Sequence, residues 1–456
     1  MPMNFAPRRI SYKPPMPLLK KLIWAYFFLL IFEGALRKWI LPSLSTPLLL
    51  VRDPVAVLII WEAFRGNKWP EKWSTAVGVL TACLLAICVI QVVFGDNPWF
   101  AGIYGLRSYL LPFPVAFIIG EYLNEEDLRK FGVCTLWLLL LVTGVEIAQY
   151  LAPSNGFLNR GAYEGAEQIT YVGQRVRASG TFSFVTGPMN FCPLAAAFIF
   201  YGFVNERFAK KELLWSAAFA LLLSVPIIGS RTLVFELAGV VMCAGVAALC
   251  GVSQLFKSLR LALPLLAVSF LVSLLPIFSE ASGNLQRRFA EASHSEGSTT
   301  EALEDRTLGV ISQALGNTDI LSHPIGVGMG VGAAAISKLT QGSVYFTVGE
   351  SEFPRILNEL GPFSGLAFMT FRFLLGLMVL SMAIARARAH EPLALLLFPV
   401  TFTGVFLNLL EQPTEQGFMV VALGFSLCAL RIGVAPIAAA PRGARILRRA
   451  GPARQS

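Results

Sequence analysis

Charge is what this chain has least of. Only 14% of its 456 residues are Asp, Glu, Lys or Arg, while 55% are hydrophobic; an ordinary soluble domain carries about 25% charged residues. With a mean hydropathy of +0.63, the composition excludes a string of soluble domains and points to one large membrane domain over residues 1–456. Cysteine is sparse and misplaced for a disulfide framework. All seven, Cys83, Cys88, Cys134, Cys192, Cys243, Cys250 and Cys428, sit inside apolar stretches, and the two long polar segments hold none. Neither a bridge nor a metal-ligand spacing is available there, so they read as small packing residues, and no metal or cofactor is expected. Histidine is scarcer still, at three.

What the sequence has instead is long apolar runs, many near the roughly 20 residues that cross a bilayer. They predict an all-α polytopic membrane protein of about twelve spans: 22–40, 47–64, 74–94, 100–121, 131–152, 187–205, 213–229, 232–250, 259–278, 362–385, 391–410 and 414–431. The first follows Lys20 and Lys21 as a secretory signal would, but Glu33, Arg37 and Lys38 come next with no small-residue cleavage site, so it is kept as a helix.

The net charge of +9 would suggest nucleic acid in a soluble protein. Here most of it marks topology, because cytoplasmic segments retain Lys and Arg. Arg8, Arg9, Lys13, Lys20 and Lys21, then Arg65, Lys68 and Lys72, then Arg207, Lys210 and Lys211 fall on one side, whereas Gly95–Phe100 and Glu411–Gln416 have no Lys or Arg. Both termini are therefore expected in the cytoplasm, and the tail 432–456, with Arg442, Arg445, Arg448 and Arg449, reads as a membrane-surface patch rather than a nucleic-acid site. Two outer segments exceed a turn: 152–186, and 279–361 between the ninth and tenth spans, where Leu303, Leu308, Ile311 and Leu315 recur at helical spacing.

Topology leaves a minority of arginines unexplained. Arg52, Arg107 and Arg231 stand at or near the outer ends of spans, and Arg372 lies farther inside one. Charges at that depth are costly and are site candidates, and guanidinium grips phosphate oxygens in pairs without ever deprotonating. The plainer reading is snorkelling, or internal ion pairs such as Arg52 with Asp53 or Arg372 with a carboxylate. Arg231 stands out because Gly229-Ser230-Arg231-Thr232 is a polar break between two spans, with Glu236 five residues on to orient it.

The outer segments carry three further motifs. Arg175-Val176-Arg177-Ala178-Ser179-Gly180-Thr181-Phe182 brings two arginines to a turn ahead of a span. Ser322-His323-Pro324-Ile325-Gly326-Val327-Gly328-Met329-Gly330 is a glycine-rich turn with no Gly-Lys-Ser/Thr after it, so it is not a Walker loop and fits close backbone packing at least as well as phosphate binding. Glu350-Ser351-Glu352-Phe353-Pro354-Arg355-Ile356-Leu357-Asn358-Glu359-Leu360-Gly361 is dense in titratable groups that can supply a general base or simply pair with arginines. Tyr163, Tyr171 and Tyr345 can stack on sugar rings or anchor the loops at the interface.

At these residues the chain resembles the O-antigen ligase and O-antigen polymerase superfamily of bacterial inner membranes. The resemblance rests on Arg177–Phe182, Ser230-Arg231-Thr232, His323–Gly330, and Leu357–Gly361 with Gly365, and covers roughly 175–375. It implies a metal-independent glycosyltransferase without cofactor that acts at the periplasmic face. The donor is an undecaprenyl-diphosphate-linked glycan, and the acceptor is lipid A core for a ligase or another lipid-linked repeat for a polymerase. Proteins that set polysaccharide chain length or export the product are further partners it implies, beside the bilayer itself. On this footing Arg177, Arg231, Arg175 and Arg355 are candidates for the diphosphate, with Arg107, Arg52, Arg372, His323 and Glu359 as secondary ones. Fixed cations there stabilise the charge that develops on the leaving group.

One departure tilts the expectation. Ligases of this family are similar in having a histidine nine residues before the glutamate that corresponds to Glu359, and here Glu350 stands at that position. The resemblance then favours a polymerase in which Glu350 or Glu352 takes the proton. A transporter of lipid-linked sugar or another anion is the alternative, kept open by Glu33, Glu62, Glu146 and Glu236 in or beside spans.

Overall fold

A computed structural model describes residues 17–67, 69–95, 97–162, 175–252, 255, 283, 323–333, 336 and 352–432. The expected span 259–278, the helical pattern near 300–315, Glu350, Tyr163, Tyr171, Tyr345 and the tail beyond Ile432 lie outside the described residues.

The described chain is helical. In order it forms α1 (Pro17–Ala35), α2 (Arg52–Arg65), α3 (Glu71–Phe94), α4 (Trp99–Leu110), α5 (Pro112–Tyr122), α6 (Glu125–Leu151), α7 (Thr186–Val204), α8 (Lys211–Ile228), α9 (Arg231–Leu249), α10 (Glu352–Leu360), α11 (Pro362–Arg388), α12 (Leu393–Phe402) and α13 (Pro413–Arg431). Among the described residues nine helices, counting Trp99–Tyr122 as one and starting the first at Pro42, are long and apolar enough to cross a membrane. They match nine of the expected spans. Of the rest, 22–40 forms α1 with Lys20, Lys21 and Glu33 in it, and 391–410 forms the shorter apolar helix Leu393–Leu407. So many apolar helices fit a multi-pass membrane protein.

Local chemistry sets the ends. Asn124 caps α6 by accepting from the Asp127 N–H at 2.8 Å, and the Asp127 carboxylate accepts the Asn124 N–H in return. Gly229 ends α8 in the left-handed region, at φ 57°, and the Ser230 hydroxyl then caps α9. Pro362 sits in the first turn of α11, where its missing N–H leaves no bond unmade.

The axis of the bundle is α13. Some 89% of its apolar window is buried, against 11% for α3, so α13 is walled by protein while α3 faces outward. It packs on α5, α7 and α12. Stacking of Trp24 on Phe131, centroids 3.7 Å apart, with Phe425 against Phe131 at 5.1 Å, ties α1, α6 and α13 together. Packing of this kind holds helices in lipid, where burying apolar surface gains little.

Candidate functional site

Polar side chains concentrate where α1, α3, α6, α8 and α12 end and where α2, α4, α7, α9, α11 and α13 begin. Alternating helices put all of these at one end of the bundle.

Two arginines read separately in the sequence meet there. Arg177, 7% exposed, donates Nε to the Ile228 carbonyl at 3.2 Å, and Ile228 is the last residue of α8 before the Gly229-Ser230 break. Arg231 is the first residue of α9, so its charge stands on the turn Arg177 reaches, beside the positive end of a helix. Arg175 donates Nη1 to the Tyr150 carbonyl at 3.3 Å and lies 5.4 Å over that ring.

The turn that delivers Arg177 is gripped from two sides. Gln149 of α6 accepts the N–H groups of Ser179 and Gly180 at 3.1 and 2.8 Å. From the π-helical turn Leu36–Ile40 that continues α1, Lys38 donates Nζ to the Ser179 hydroxyl at 3.0 Å and the Gly180 carbonyl at 2.9 Å. Arg37 adds 2.9 Å to the Ser183 hydroxyl, and Thr181 bonds the Ile31 carbonyl at 2.7 Å. Gly180 adopts φ 57°, which suits glycine there.

A second centre is ionic and closed. Glu352, Arg355 and Glu359 follow one stripe of α10. Arg355 donates Nε to Glu352 at 2.9 Å and Nη1 to Glu359 at 3.0 Å, with Nη2 2.8 Å from Glu352. Arg372 places Nη1 2.5 Å from Glu352 and gives Nε and Nη2 to the carbonyls of Val405 and Asn408; the π-turn Thr403–Leu407 after α12 supplies the first of these. The Tyr109 hydroxyl reaches Glu359 at 2.7 Å, and the Gly332 N–H reaches it at 3.1 Å. All four charged side chains are 2% exposed or less. Burial by itself lowers a guanidinium's pKa, but Glu352, Tyr109 and Glu359 around Arg355 hold it well above its ordinary value.

Arginines near span ends in the N-terminal half are paired as well. Arg52 bonds Glu33 at 3.1 Å and the Pro413 carbonyl, whereas its sequence neighbour Asp53 instead meets Arg107 at 2.6 Å. Consecutive residues of a helix point apart, so the Arg52–Asp53 pair suggested by adjacency does not form. Arg107 also donates to Gln416 at 3.1 Å, linking α4 to α13.

The glycine turn is a packing device. Gln91 of α3 donates to the carbonyls of Ile325 and Glu359, both at 2.7 Å, and accepts the Met329 N–H at 2.8 Å. Gly330, at φ 80°, lies so near Ala101 and Gly105 that a Cβ would fall 2.8 Å from the Gly105 nitrogen. His323 is exposed at the head of the turn, and its carbonyl accepts the Gly326 N–H at 2.8 Å.

Arg177 and Arg231 thus come together, and Glu352, Glu359, Arg355 and Arg372 form another group, while Arg52 and Arg107 hold helix junctions. Lys38, Gln149, Gln91, Tyr109 and Gln416 escaped the sequence reading. Four of the five are neutral, and Lys38 read only as a flank of the first span. Among the described residues no group of three or more His, Cys, Asp or Glu is placed to hold a metal ion. Compared with family models, curated proteins and solved structures, the chain matches none.

Proposed function

We propose that this chain is a periplasmic-face glycosyltransferase that polymerises or transfers oligosaccharide repeats carried on undecaprenyl diphosphate, closer to a surface-polysaccharide polymerase than to a ligase. The observation that carries the reading is the convergence of Arg177 on the α8–α9 break that holds Arg231. Two guanidinium groups beside a helix N-terminus suit a diphosphate, and they stand at the end of the bundle that the charge pattern puts outside.

In this reading Arg177 and Arg231, with Arg175 at the rim, bind the donor's diphosphate. The acceptor hydroxyl attacks the anomeric carbon, the bond from that carbon to the lipid diphosphate breaks with its electron pair on the leaving oxygen, and the arginines stabilise the charge that forms. The hydroxyl proton goes to a carboxylate. Glu350 is the better proton acceptor of the two candidates, because both oxygens of Glu352 already accept bonds from Arg355, Arg372 or the Leu410 N–H. Arg355, Arg372, Glu352 and Glu359 then act as the frame that seats α10 against α11. The same reading keeps twelve spans, both termini and the basic tail in the cytoplasm, and the bacterial inner membrane as the site of action, with chain-length and export proteins as partners.

The test is incubation of purified protein with lipid-linked repeats, resolved by length. A ladder of longer glycans supports the reading. A transporter of the same lipid-linked sugar is the second reading, favoured by Glu146 and Glu236, which are buried in α6 and α9 with one oxygen each lacking a hydrogen-bond partner. Movement of the substrate across proteoliposomes with no ladder would select it.

A further inference from the structure

A cavity of about 500 Å³ opens at the other end of the bundle, lined by Glu125, Arg207, Phe208, His390, Glu391 and Leu393 among others. These residues belong to the start of α6, the α7–α8 connection and the α11–α12 connection. The 27 residues of α6, at about 1.5 Å per residue, put roughly 40 Å between this cavity and the Gln149 end of that helix. It is therefore separate from the proposed transfer site.

Its lining is amphipathic in a particular way. Phe208 and Leu393 are buried and form an apolar wall. Around them stand the guanidinium of Arg207, the imidazole of His390 and the carboxylates of Glu125 and Glu391, none of them in an ion pair among the described residues. Of the other charges nearby, Arg129 donates twice to Glu126, each at 3.0 Å, Lys211 lies 3.9 Å from Glu206, and Arg386 acts on Glu391 from the end of α11 with its Nε and Nη2 buried and unbonded. Helices that cross a bilayer end here, so the cavity stands at headgroup level.

The backbone is also bent to present His390. Its φ is 65°, in the left-handed region where glycine ordinarily closes a helix, while its N–H bonds the Ala387 carbonyl at 3.0 Å and the Glu391 N–H bonds that of Arg386 at 3.0 Å. Across from it Gly251, at φ 112°, lacks a side chain where a Cβ would sit 3.2 Å from the imidazole. Glycine is absent at the position that favours it and present where the ring needs room.

We propose that this cavity binds the headgroup of an aminophospholipid. The phosphate meets Arg207 and His390, the primary ammonium meets Glu125 and Glu391, and the glycerol and upper acyl chains lie along Phe208 and Leu393. One ligand supplies both signs of charge together with an apolar tail.

The experiment is native mass spectrometry of the full chain in detergent, titrated with phosphatidylethanolamine, phosphatidylcholine or phosphatidylglycerol. Phosphatidylethanolamine should be retained in preference to the other two. His390→Gly removes the imidazole at a position where glycine is the relaxed residue, so its thermal midpoint should stay at or above that of the parent while retention falls about tenfold; Arg207→Gln should lose a similar factor. Equal retention of the three lipids, or unchanged retention in both variants, overturns the proposal. Soluble phosphoethanolamine that binds when phosphatidylethanolamine does not would assign the cavity to a free phosphoester and overturn the lipid.

Discussion

Arg372 Nη1 stands 2.5 Å from Glu352 Oε1, although Arg372 lies well inside α11 and Glu352 opens α10. The contact decides what this arginine inside an apolar helix does. Its two other donors go to carbonyls of the π-turn and of Asn408, so its fork is filled by protein and it serves as the joint between α10, α11 and the segment before α13. Arg355 is filled in the same manner by Glu352 and Glu359.

Breaking that joint on one side should be severe. Glu352→Gln leaves Arg372 and Arg355 short of a buried carboxylate, and loss of one member of a buried pair costs about 3–5 kcal/mol. Arg372→Met should cost a comparable amount, and the double variant Glu352→Gln/Arg372→Met less than the sum, because Arg372 is then no longer left without its carboxylate. Thermal unfolding in detergent reads all three. Strict additivity would show that the two side chains do not act as a pair.

The diphosphate arginines should behave differently. Arg231→Lys and Arg177→Lys keep the charge but lose the planar fork, and each is expected to slow glycan elongation about 100-fold, the scale of one lost charge-stabilising donor. Their thermal midpoints should change little beside that of Arg107→Lys, whose guanidinium joins Asp53 and Gln416. Wild-type elongation by Arg231→Lys would sink the bidentate role. A large midpoint loss in Arg177→Lys would assign that residue to structure.

Gly330→Ala tests the packing reading of the glycine turn. The substitution meets both an unfavourable φ of 80° and the backbone of Gly105 at 2.8 Å, so it should cost about 1–3 kcal/mol. Faster proteolysis within 323–333 is the expected sign, since the turn can no longer close on α4. A variant as protease-resistant as the parent would show that the turn is not held by this approach.

Apolar runs made nine spans legible, because a sequence period survives whatever the helix packs against. The break at Gly229-Ser230 was legible too. Partners were not. Arg52 beside Asp53 suggested a pair, yet a helix turns consecutive side chains about 100° apart, and the actual partners are Glu33 from α1 and Arg107 from α4. Pairing with arginine was one of the two readings left open for Glu352 and Glu359, and their spacing of three and four residues from Arg355 on a helix is what makes it form. Gln91 and Gln149 gave no signal, since an amide has no charge to look out of place in a span; their importance lies in backbone groups of loops 30 or more residues away in sequence.

Lys38 and Gln149 furnish the last test, since they hold opposite sides of the Ser179–Gly180 turn. Lys38 is 1% exposed and spends its contacts on the Ser179 hydroxyl and the Gly180 carbonyl, so Lys38→Met removes both bonds and leaves that carbonyl only Gln149 Nε2 at 3.3 Å, a loss of about 1 kcal/mol. Gln149→Leu strands two N–H groups instead. Either change frees the segment that carries Arg177, and the donor's KM should rise more than kcat falls, because a misplaced guanidinium weakens ground-state and transition-state binding alike. Combining the two should add little further loss of activity once the turn is loose. An effect on midpoint alone, with KM and kcat unchanged, would separate this turn from donor binding and remove Arg177 from the proposed site.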